Sequence, residues 1–395
     1  MVTYVSIIGS GAGADYATVQ AWYTGERRSP SESDGDYSDG DIVIAKLQNA
    51  DDGHTGTHPI QYSIFGALGD VWADSVDLTV IVSGTNPDRS EWSDPSCTLT
   101  QNSVLRSNNS NKTFKFENLD LYVANNSSYR FNNDLTPATA GDTFDVEWTN
   151  CRVYCPSSGS NISILQNYID FSSLTQTVTV TNCQITPRRT FFRNNTNNAG
   201  TSSVLVCRNI GSTFSMPYQQ ASENCIYTAT VKFGGNVVPF SGSLEVLVSG
   251  CLFDSPLDLP FVFGPQSQFG TTYYTSGNTV DFITSESAAN LGAWADGRSN
   301  TTSAVTFNYG TAPGAGEVSF ASAAFDYSTD LPNLPLYDDS NNLALGYVSN
   351  VTLPSTDLVG NDRGISPFDA GAFEFVDSGG VDVTAAFGNV YVRLH

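Results

Sequence analysis

Apolar and polar residues alternate in short runs along the chain, and three of these runs are copies of one another. They read Phe114-x-Phe116-x-Asn118-Leu119-x-Leu121, Val146-x-Trp148-x-Asn150-Cys151-x-Val153 and Val178-x-Val180-x-Asn182-Cys183-x-Ile185. The three asparagines are 32 residues apart at each step. A fixed period of about 20 to 50 residues is typical of a solenoid, in which each repeat packs on the next.

Less regular copies flank these three. Val246-x-Val248-x-Gly250-Cys251-x-Phe253 keeps the pattern with a glycine in place of asparagine. Tyr273-x-Thr275-x-Gly277-Asn278-x-Val280 is a weaker copy, and upstream Leu78-x-Val80-x-Val82 ends at Gly84. Asparagine and glycine both tolerate the left-handed backbone region, so each copy predicts a strand followed by a corner.

The alternation predicts strands with one buried face, and stacking the copies would place like residues above one another. The predicted fold is all-β: a right-handed parallel β-helix solenoid with an N-terminal helical cap and a C-terminal β-hairpin extension. The alternative is an all-β sandwich with chance repeats. The β-helix predicts a structural ladder of corner residues, namely Asn118, Asn150, Cys151, Asn182, Cys183, Gly250 and Cys251.

The net charge of the chain argues against two classes of binding partner. Its 395 residues carry a formal net charge of −23 at pH 7. We therefore expect no nucleic-acid partner, which would need a basic face, and no adhesion to anionic lipid. No run is long enough to cross a membrane, so no membrane insertion is expected. The first eight residues lack a basic start and a long apolar run, which predicts a protein that is cytoplasmic or released by lysis.

Cysteines, aspartates and histidines give little support for a cofactor. Four of the seven cysteines directly follow Asn or Gly, which predicts buried corner residues rather than a disulfide framework or a metal site. Asp34, Asp36 and Asp39 crowd together with glycines, which leaves a calcium site open there. The spacing misses the EF-hand pattern, and a solvated turn is the favoured explanation. His54 and His58 have no third zinc ligand in sight.

Two segments resemble known β-helix proteins. Asp15-Tyr16-Ala17-Thr18-Val19-Gln20-Ala21-Trp22 resembles the N-terminal segment of pectin-lyase-like β-helix proteins and predicts a short capping helix in which Asp15 caps the amides. Near the other end, Arg363, Asp369, Gly371, Ala372 and Glu374 match a closing motif of many microbial and viral parallel β-helix proteins, while Ala370 stands where isoleucine is usual.

The closing-motif resemblance implies a C-terminal cap. Arg363 would pair with a carboxylate and Gly371 would let backbones approach, so that Arg363, Asp369, Gly371 and Glu374 close the last repeat. The predicted domains are an N-terminal cap over 1–30, the parallel β-helix over 31–375 and a docking or oligomerisation segment over 376–395.

The C-terminal segment predicts a partner. Val390, Val392 and Leu394 alternate after Gly388-Asn389, which favours a hairpin. An apolar strand beyond the cap has nothing left in its own solenoid to cover. We therefore expect it to dock on a sister subunit, most simply in a homotrimer, or on another virion protein.

Aromatic residues beside the turn clusters are candidates for carbohydrate binding, since rings stack on sugar faces. They are Tyr122, Tyr129, Phe131 and Tyr154, for which ordinary packing is the alternative. Possible catalytic pairs are Glu117 with Glu147 and Asp120 with Arg152. The two glutamates precede their corner asparagines by different numbers of residues, so they do not stack in register and the catalytic residues stay unknown.

The resemblance to phage tailspikes, head spikes and surface fibres implies a function. It predicts a virion structural protein of a bacteriophage, placed on the virion surface and extracellular after host lysis, that adheres to host surface glycan. Two alternatives remain open at this point. One is a polysaccharide depolymerase, a lyase or glycoside hydrolase, on the same fold; the other is a bacterial surface adhesin.

Overall fold

The structure, a computed structural model, describes the chain in separate ranges, most of which are strands. They are 1–26, 37–60, 76–84, 96–99, 103–107, 111–123, 131–135, 143–154, 163–169, 175–186, 190–194, 204–215, 231–232, 243–254, 261–262, 278–284, 305–309, 355–358, 360–363, 371–372 and 374.

These ranges contain one α-helix and twenty-two strands. In chain order they are β1 Thr3–Ile8, α1 Val19–Glu26, β2 Asp41–Leu47, β3 His58–Ile60, β4 Leu78–Gly84, β5 Ser96–Leu99, β6 Ser103–Ser107, β7 Lys112–Glu117, β8 Asp120–Val123, β9 Phe131–Leu135, β10 Thr143–Thr149, β11 Arg152–Tyr154, β12 Ser163–Ile169, β13 Thr175–Thr181, β14 Gln184–Thr186, β15 Thr190–Asn194, β16 Val204–Ile210, β17 Thr213–Ser215, β18 Val231–Lys232, β19 Ser243–Asp254, β20 Phe261–Val262, β21 Asn278–Thr284 and β22 Val305–Tyr309.

Most of the strands form three parallel stacks. Stack 1 runs β1-β2-β4-β7-β10-β13-β16-β19-β21-β22, stack 2 runs β3-β5-β8-β11-β14-β17, and stack 3 runs β6-β9-β12-β15. The long strand β19 continues from stack 1 into stack 2, and β18 pairs with β20. From β4 to β15 the chain visits stacks 1, 2 and 3 in that order, four times.

Every pair of strands in the described ranges is parallel, so the protein is all-β with parallel sheets. The alternative of a sandwich, which is built from antiparallel sheets, is wrong for these strands. The register follows the 32-residue period: Val146 lies opposite Phe114 on one side and Val178 on the other. The bonds within each sheet therefore join successive copies of the repeat.

Alternation along the strands builds the core. In β7, Phe114 and Phe116 are buried while their neighbours are half-buried. Phe116 stacks on Trp148 of the next repeat, with ring centroids 4.2 Å apart and planes 17° from parallel. Large apolar side chains thus pack on their counterparts one repeat away, which stabilises the stack along its length.

Asn118, Asn150 and Asn182 form the corners between stacks 1 and 2, and we call them the corner column. Their φ angles are 56°, 52° and 51°, in the left-handed region. Asn150 Nδ2 donates to Asn118 Oδ1 at 3.2 Å, and Asn182 Nδ2 donates to Asn150 Oδ1 at 2.8 Å. Each side-chain amide is therefore a link between two repeats.

The residue after each corner forms a second inner column. The Cys183 sulfur accepts the backbone N–H of Cys151 at 3.3 Å, and Ser212 Oγ accepts that of Cys183 at 3.1 Å. Leu119, Cys151, Cys183 and Ser212, which follow the four corners, are all buried. The thiol and the hydroxyl thus satisfy amides that the corner would otherwise leave buried without a partner.

A third column, which the sequence analysis missed, precedes the strands of stack 1. Asp39 Oδ1 accepts the backbone N–H of Asp77 at 3.0 Å. In the same way, Asp77 Oδ1 accepts the N–H of Asn111 at 2.8 Å, and Asn111 Oδ1 accepts the N–H of Thr143 at 2.7 Å. The signal was present as Asp or Asn just before each strand. These side chains fix the start of the strands as the corner column fixes their end.

The N-terminal region differs from the prediction in detail. Helix α1 begins at Val19, and Thr18 Oγ1 accepts the N–H of Ala21, so Thr18 and not Asp15 caps it. The Asp15 carboxylate accepts the N–H of Ile7 instead, because the chain folds back along β1. Val19, Trp22 and Tyr23 of the helix are buried. In addition, β1 is itself the first strand of stack 1.

Two of the outlying copies were read incorrectly. The copy at Cys207–Phe214, with its corner at Gly211, was overlooked because it lies only 29 residues after the preceding one. The copy ending at Val280 was aligned by its glycine, but Val280 lies opposite Val248 rather than beyond Gly250. A register shift between Val248 and Cys251 accounts for the displacement.

In the described part of the chain, no helix combines the length and the apolar composition that are needed to span a membrane.

The corner column predicts a difference between two substitutions at one position. Asn150→Ala removes two side-chain hydrogen bonds at about 1 kcal/mol each and adds about 1–2 kcal/mol for a left-handed alanine. Asn150→Gly removes the same bonds but keeps the backbone relaxed, apart from about 0.5–1 kcal/mol of entropy. Urea denaturation should show Asn150→Ala to be the less stable variant. Equal stability of the two variants and the parent would contradict the role of the column.

Candidate functional site

The outer face of stack 1 carries a group of charged side chains that we call the outer charged patch. Alternation directs them away from the core, since the residues between them, such as Phe116 and Val146, are buried. They come from β7, β10 and β16 and are half-buried. The members are Lys115, Glu117, Asp145, Glu147 and Arg208.

The register fixes the arrangement of the patch. Lys115 lies opposite Glu147, and Lys115 Nζ is 2.7 Å from Glu147 Oε2. Glu117 lies opposite Thr149, so it is one strand and two residues away from Glu147. With about 4.8 Å between strands and about 3.3 Å per residue, the Cα atoms of the two glutamates are roughly 8 Å apart.

The two other acidic members of the patch have perturbed carboxyl groups. Burial raises the pKa of Glu117, with Glu147 adding to the rise and Lys115 opposing it. Burial also raises the pKa of Asp145, although a hydrogen bond from Thr177 acts against it. The face therefore combines carboxyl groups that resist ionisation with one, Glu147, that is ion-paired to a lysine.

Hydroxyl groups border the patch on the next strand. Thr177 lies opposite Asp145, Thr179 opposite Glu147 and Thr181 opposite Thr149. Thr179 in turn lies opposite Arg208 of β16. The arrangement offers donors and acceptors in rows about 4.8 Å apart, which suits a ligand rich in hydroxyl groups. Of these residues, the sequence analysis had singled out only the two glutamates.

The aromatic candidates for sugar binding are placed only in part. The backbones of Tyr122 and Tyr154 lie opposite each other on β8 and β11. Phe131 begins β9 in stack 3, opposite Leu165 and Ser103. Tyr129 lies outside the described residues. The register thus brings two of the four tyrosine and phenylalanine candidates to equivalent positions.

The other catalytic pair considered from sequence, Asp120 with Arg152, is buried. Arg152 Nε lies 3.8 Å from Asp120 Oδ1, and each side chain is 1% exposed. Gln184, in register on β14, is also buried. Because Leu121, Val153 and Ile185 on the opposite face are buried too, stack 2 is covered on both sides at this level. The pair is enclosed and does not face a polymer in solution.

The candidate metal ligands have other contacts. Asp39 accepts an N–H from Asp77, whereas Asp34 and Asp36 lie outside the described residues. His54 and His58 stack face to face with centroids 4.0 Å apart, which does not converge their nitrogens on one ion. No group of three or more His, Cys, Asp or Glu side chains suited to a metal ion occurs in the described part of the chain.

The closing motif lies at an unexpected place. Arg363 Nη1 is 3.0 Å from Glu374 Oε2, and Arg363 Nη2 donates to the Gly371 carbonyl at 3.1 Å. We expected this group to close the last repeat, but Arg363 Nη2 also donates to Asn182 Oδ1 at 2.8 Å, so the motif packs against the corner column.

Asp369 and the docking residues Val390, Val392 and Leu394 lie outside the described residues. Gly250 and Cys251 lie within β19.

No protein-family model, curated protein or solved structure matches this chain.

The raised pKa of Glu117 predicts a pH-dependent effect of Glu117→Gln. The folded protein disfavours the ionised carboxylate, so the parent gains stability relative to the variant as the pH falls through the raised folded pKa. Glu117→Gln should therefore be more stable than the parent at pH 8. The difference should vanish by about pH 4, near the ordinary glutamate pKa. Thermal unfolding across this range measures it.

Two comparisons control this experiment. Glu147→Gln removes the charge that pairs with Lys115, so it should be no more stable than the parent at pH 8. Burial lowers the pKa of His58, so all variants lose stability as the pH falls below about 6.5, and this contribution cancels in the difference. Equal stability of Glu117→Gln and the parent at pH 8 would contradict the raised pKa of Glu117.

Proposed function

We propose that the chain is a right-handed parallel β-helix. The support is the cyclic order in which the chain visits three parallel stacks, together with an asparagine at the corner of three successive repeats. Strand-to-strand crossovers between parallel strands are right-handed in nearly all proteins, which supports the hand. In this fold the outer face of stack 1 is a long, flat surface that the protein presents to its surroundings.

We further propose that this face binds carbohydrate. The observation that carries the proposal is the outer charged patch, in which Lys115 and Glu147 are paired at 2.7 Å beside half-buried carboxyl groups and a row of threonines. Charged groups that are already oriented by their neighbours bind hydroxyl groups at a low cost in side-chain entropy. The aromatic candidates Tyr122 and Tyr154, whose backbones lie opposite each other on stack 2, belong to the same proposal.

Charge narrows the class of glycan. The chain has a formal net charge of −23, and the patch itself contains three carboxyl groups against two cations. A polymer rich in uronic acid or phosphate would be repelled at short range, where salt screens little. The proposed ligand is therefore a neutral or amine-bearing polysaccharide.

The biological setting that we propose is the surface of a bacteriophage virion, where the protein adheres to host glycan. The resemblance of the closing motif to microbial and viral parallel β-helix proteins supports it. A homotrimer, or contact with other virion proteins through residues 376–395, belongs to the same proposal. A bacterial surface adhesin would use the same face, and immunogold labelling of purified particles distinguishes the two settings.

A second candidate function, glycoside hydrolysis, is favoured by one observation. Glu117 has a raised pKa and suits a general acid, while Glu147 is held by Lys115 and suits a base. Their Cα atoms lie roughly 8 Å apart, and from these positions the two carboxyl groups can reach the separation of about 6.5–9.5 Å that inverting enzymes use. Glu117 would protonate the leaving oxygen, and Glu147 would take a proton from a water that attacks the opposite face of the sugar.

Binding is tested with immobilised capsular and lipopolysaccharide preparations from a panel of bacteria. The parent should bind at least one neutral or amine-bearing polymer. Lys115→Ala should weaken this binding about tenfold or more, since a lost charge-assisted hydrogen bond costs about 1.5–3 kcal/mol. Lys46→Ala is the charge-matched control. Lys46 is exposed on the outer side of β2 in the same stack, two strands before β7 and in line with Glu117 rather than Lys115, so its loss should weaken binding less. Equal losses in both variants would contradict the assignment.

The same incubations, followed for new reducing ends, test hydrolysis. If the second function holds, the parent releases reducing ends of inverted configuration and Glu117→Gln stops the release while retaining binding. Binding without release by the parent leaves adhesion as the function and removes hydrolysis.

A further inference from the structure

The corner column stops at Asn182, because the next repeat has a glycine at its corner. Thr181 lies opposite Ile210, and Asn182 donates its N–H to the Ile210 carbonyl at 2.9 Å, just as Asn150 does to Thr181 at 3.1 Å. Gly211 is therefore the counterpart of Asn182. Its φ of 54° keeps the left-handed corner, but it has no side-chain amide to continue the column.

Arg363 occupies the place that the missing amide would take. Asn150 and Asn182 each donate through Nδ2 to the Oδ1 of the preceding asparagine, so the last Oδ1, that of Asn182, is left as an acceptor. Arg363 Nη2 donates to it at 2.8 Å. Because the amide dipoles point the same way, the Asn182 end carries partial negative charge, and a guanidinium is the favourable group there.

The arginine is held by a compact hydrogen-bonded segment that we call the strap, formed by residues 355–358, 360–363, 371–372 and 374. Asp357 Oδ1 accepts the N–H of Asn361 at 2.7 Å, and its Oδ2 accepts the N–H of Glu374 at 3.0 Å. Leu358 and Ala372 are buried and joined by a backbone bond of 2.8 Å. The strap thus has internal structure of its own.

Two polar contacts between the strap and the stacks meet at one residue. Asn182 Nδ2 donates to the Thr356 carbonyl at 3.2 Å while its Oδ1 accepts from Arg363. Asn182 is fully buried, whereas Asn118 and Asn150 are half-buried. The end of the corner column is therefore the point at which the strap is fastened.

We propose that the strap is a separable latch, in which Arg363 caps the acceptor end of the asparagine column. Gly211, which has no side chain, leaves the space that the guanidinium occupies. The strap closes when the guanidinium reaches Asn182 and opens without loss of the strand stacks.

Gly211→Asn tests the latch directly. Asparagine tolerates the left-handed corner, and its amide would extend the column by one member and compete with Arg363 for Asn182 Oδ1. Amide hydrogen exchange by mass spectrometry should be at least tenfold faster than in the parent across 355–374, with β7, β10 and β13 unchanged. Arg363→Met should give the same result, and Arg363→Lys, which keeps the charge but not the planar fork, a smaller one.

Wild-type exchange across 355–374 in both Gly211→Asn and Arg363→Met would overturn the proposal. Faster exchange in the strap and the strands together would also overturn it, because the strap would then not be separable. Should Gly211→Asn fail to fold, Asn182→Gly supplies the second test. It keeps the corner and removes the acceptor; because it also removes the bond to Asn150, the strap should exchange faster by a larger factor than β7, β10 and β13.

Discussion

The left-handed corner at each asparagine is the constraint on which the rest of the structure depends. It ends a strand of stack 1, redirects the chain into stack 2, and supplies a side-chain amide that bonds to the same residue of the next repeat at 2.8–3.2 Å. A one-residue slip between repeats would break these bonds and turn the buried face of each strand outward. The corner column and the apolar stripe therefore enforce the same register.

That register also creates the surface on which function is proposed. Lys115 and Glu147 are 32 residues apart in the chain and meet only because β7 and β10 pair in phase. The half-buried state of Glu117 and Asp145, and hence the raised pKa of each, comes from their neighbours on adjacent strands. Stability and the chemistry of the outer face thus have one origin in the stacking of the repeats.

The sequence allowed prediction of what is local or strictly periodic. Alternation and the 32-residue step located the strands around Asn118, Asn150 and Asn182. The copy at Gly211 was not predicted because both its spacing and its corner residues differ. In it, Ser212 accepts the N–H of the preceding repeat in place of a cysteine. The place of Arg363 depends on a contact with a residue 181 positions away in the chain. The outer charged patch depends on which outward-facing residues of different strands become neighbours. Neither is encoded in a window of sequence.

Disulfide trapping between neighbouring strands measures the register most directly. Thr149 and Thr181 lie opposite each other. Cysteines placed there would have Cα atoms about 4.8 Å apart, within the range of about 4.4–6.8 Å for a disulfide. Mild oxidation and peptide mapping should find the cross-link in Thr149→Cys/Thr181→Cys and little in the diagonal Thr149→Cys/Thr179→Cys. Equal or reversed yields would contradict the stacking of repeats 32 residues apart.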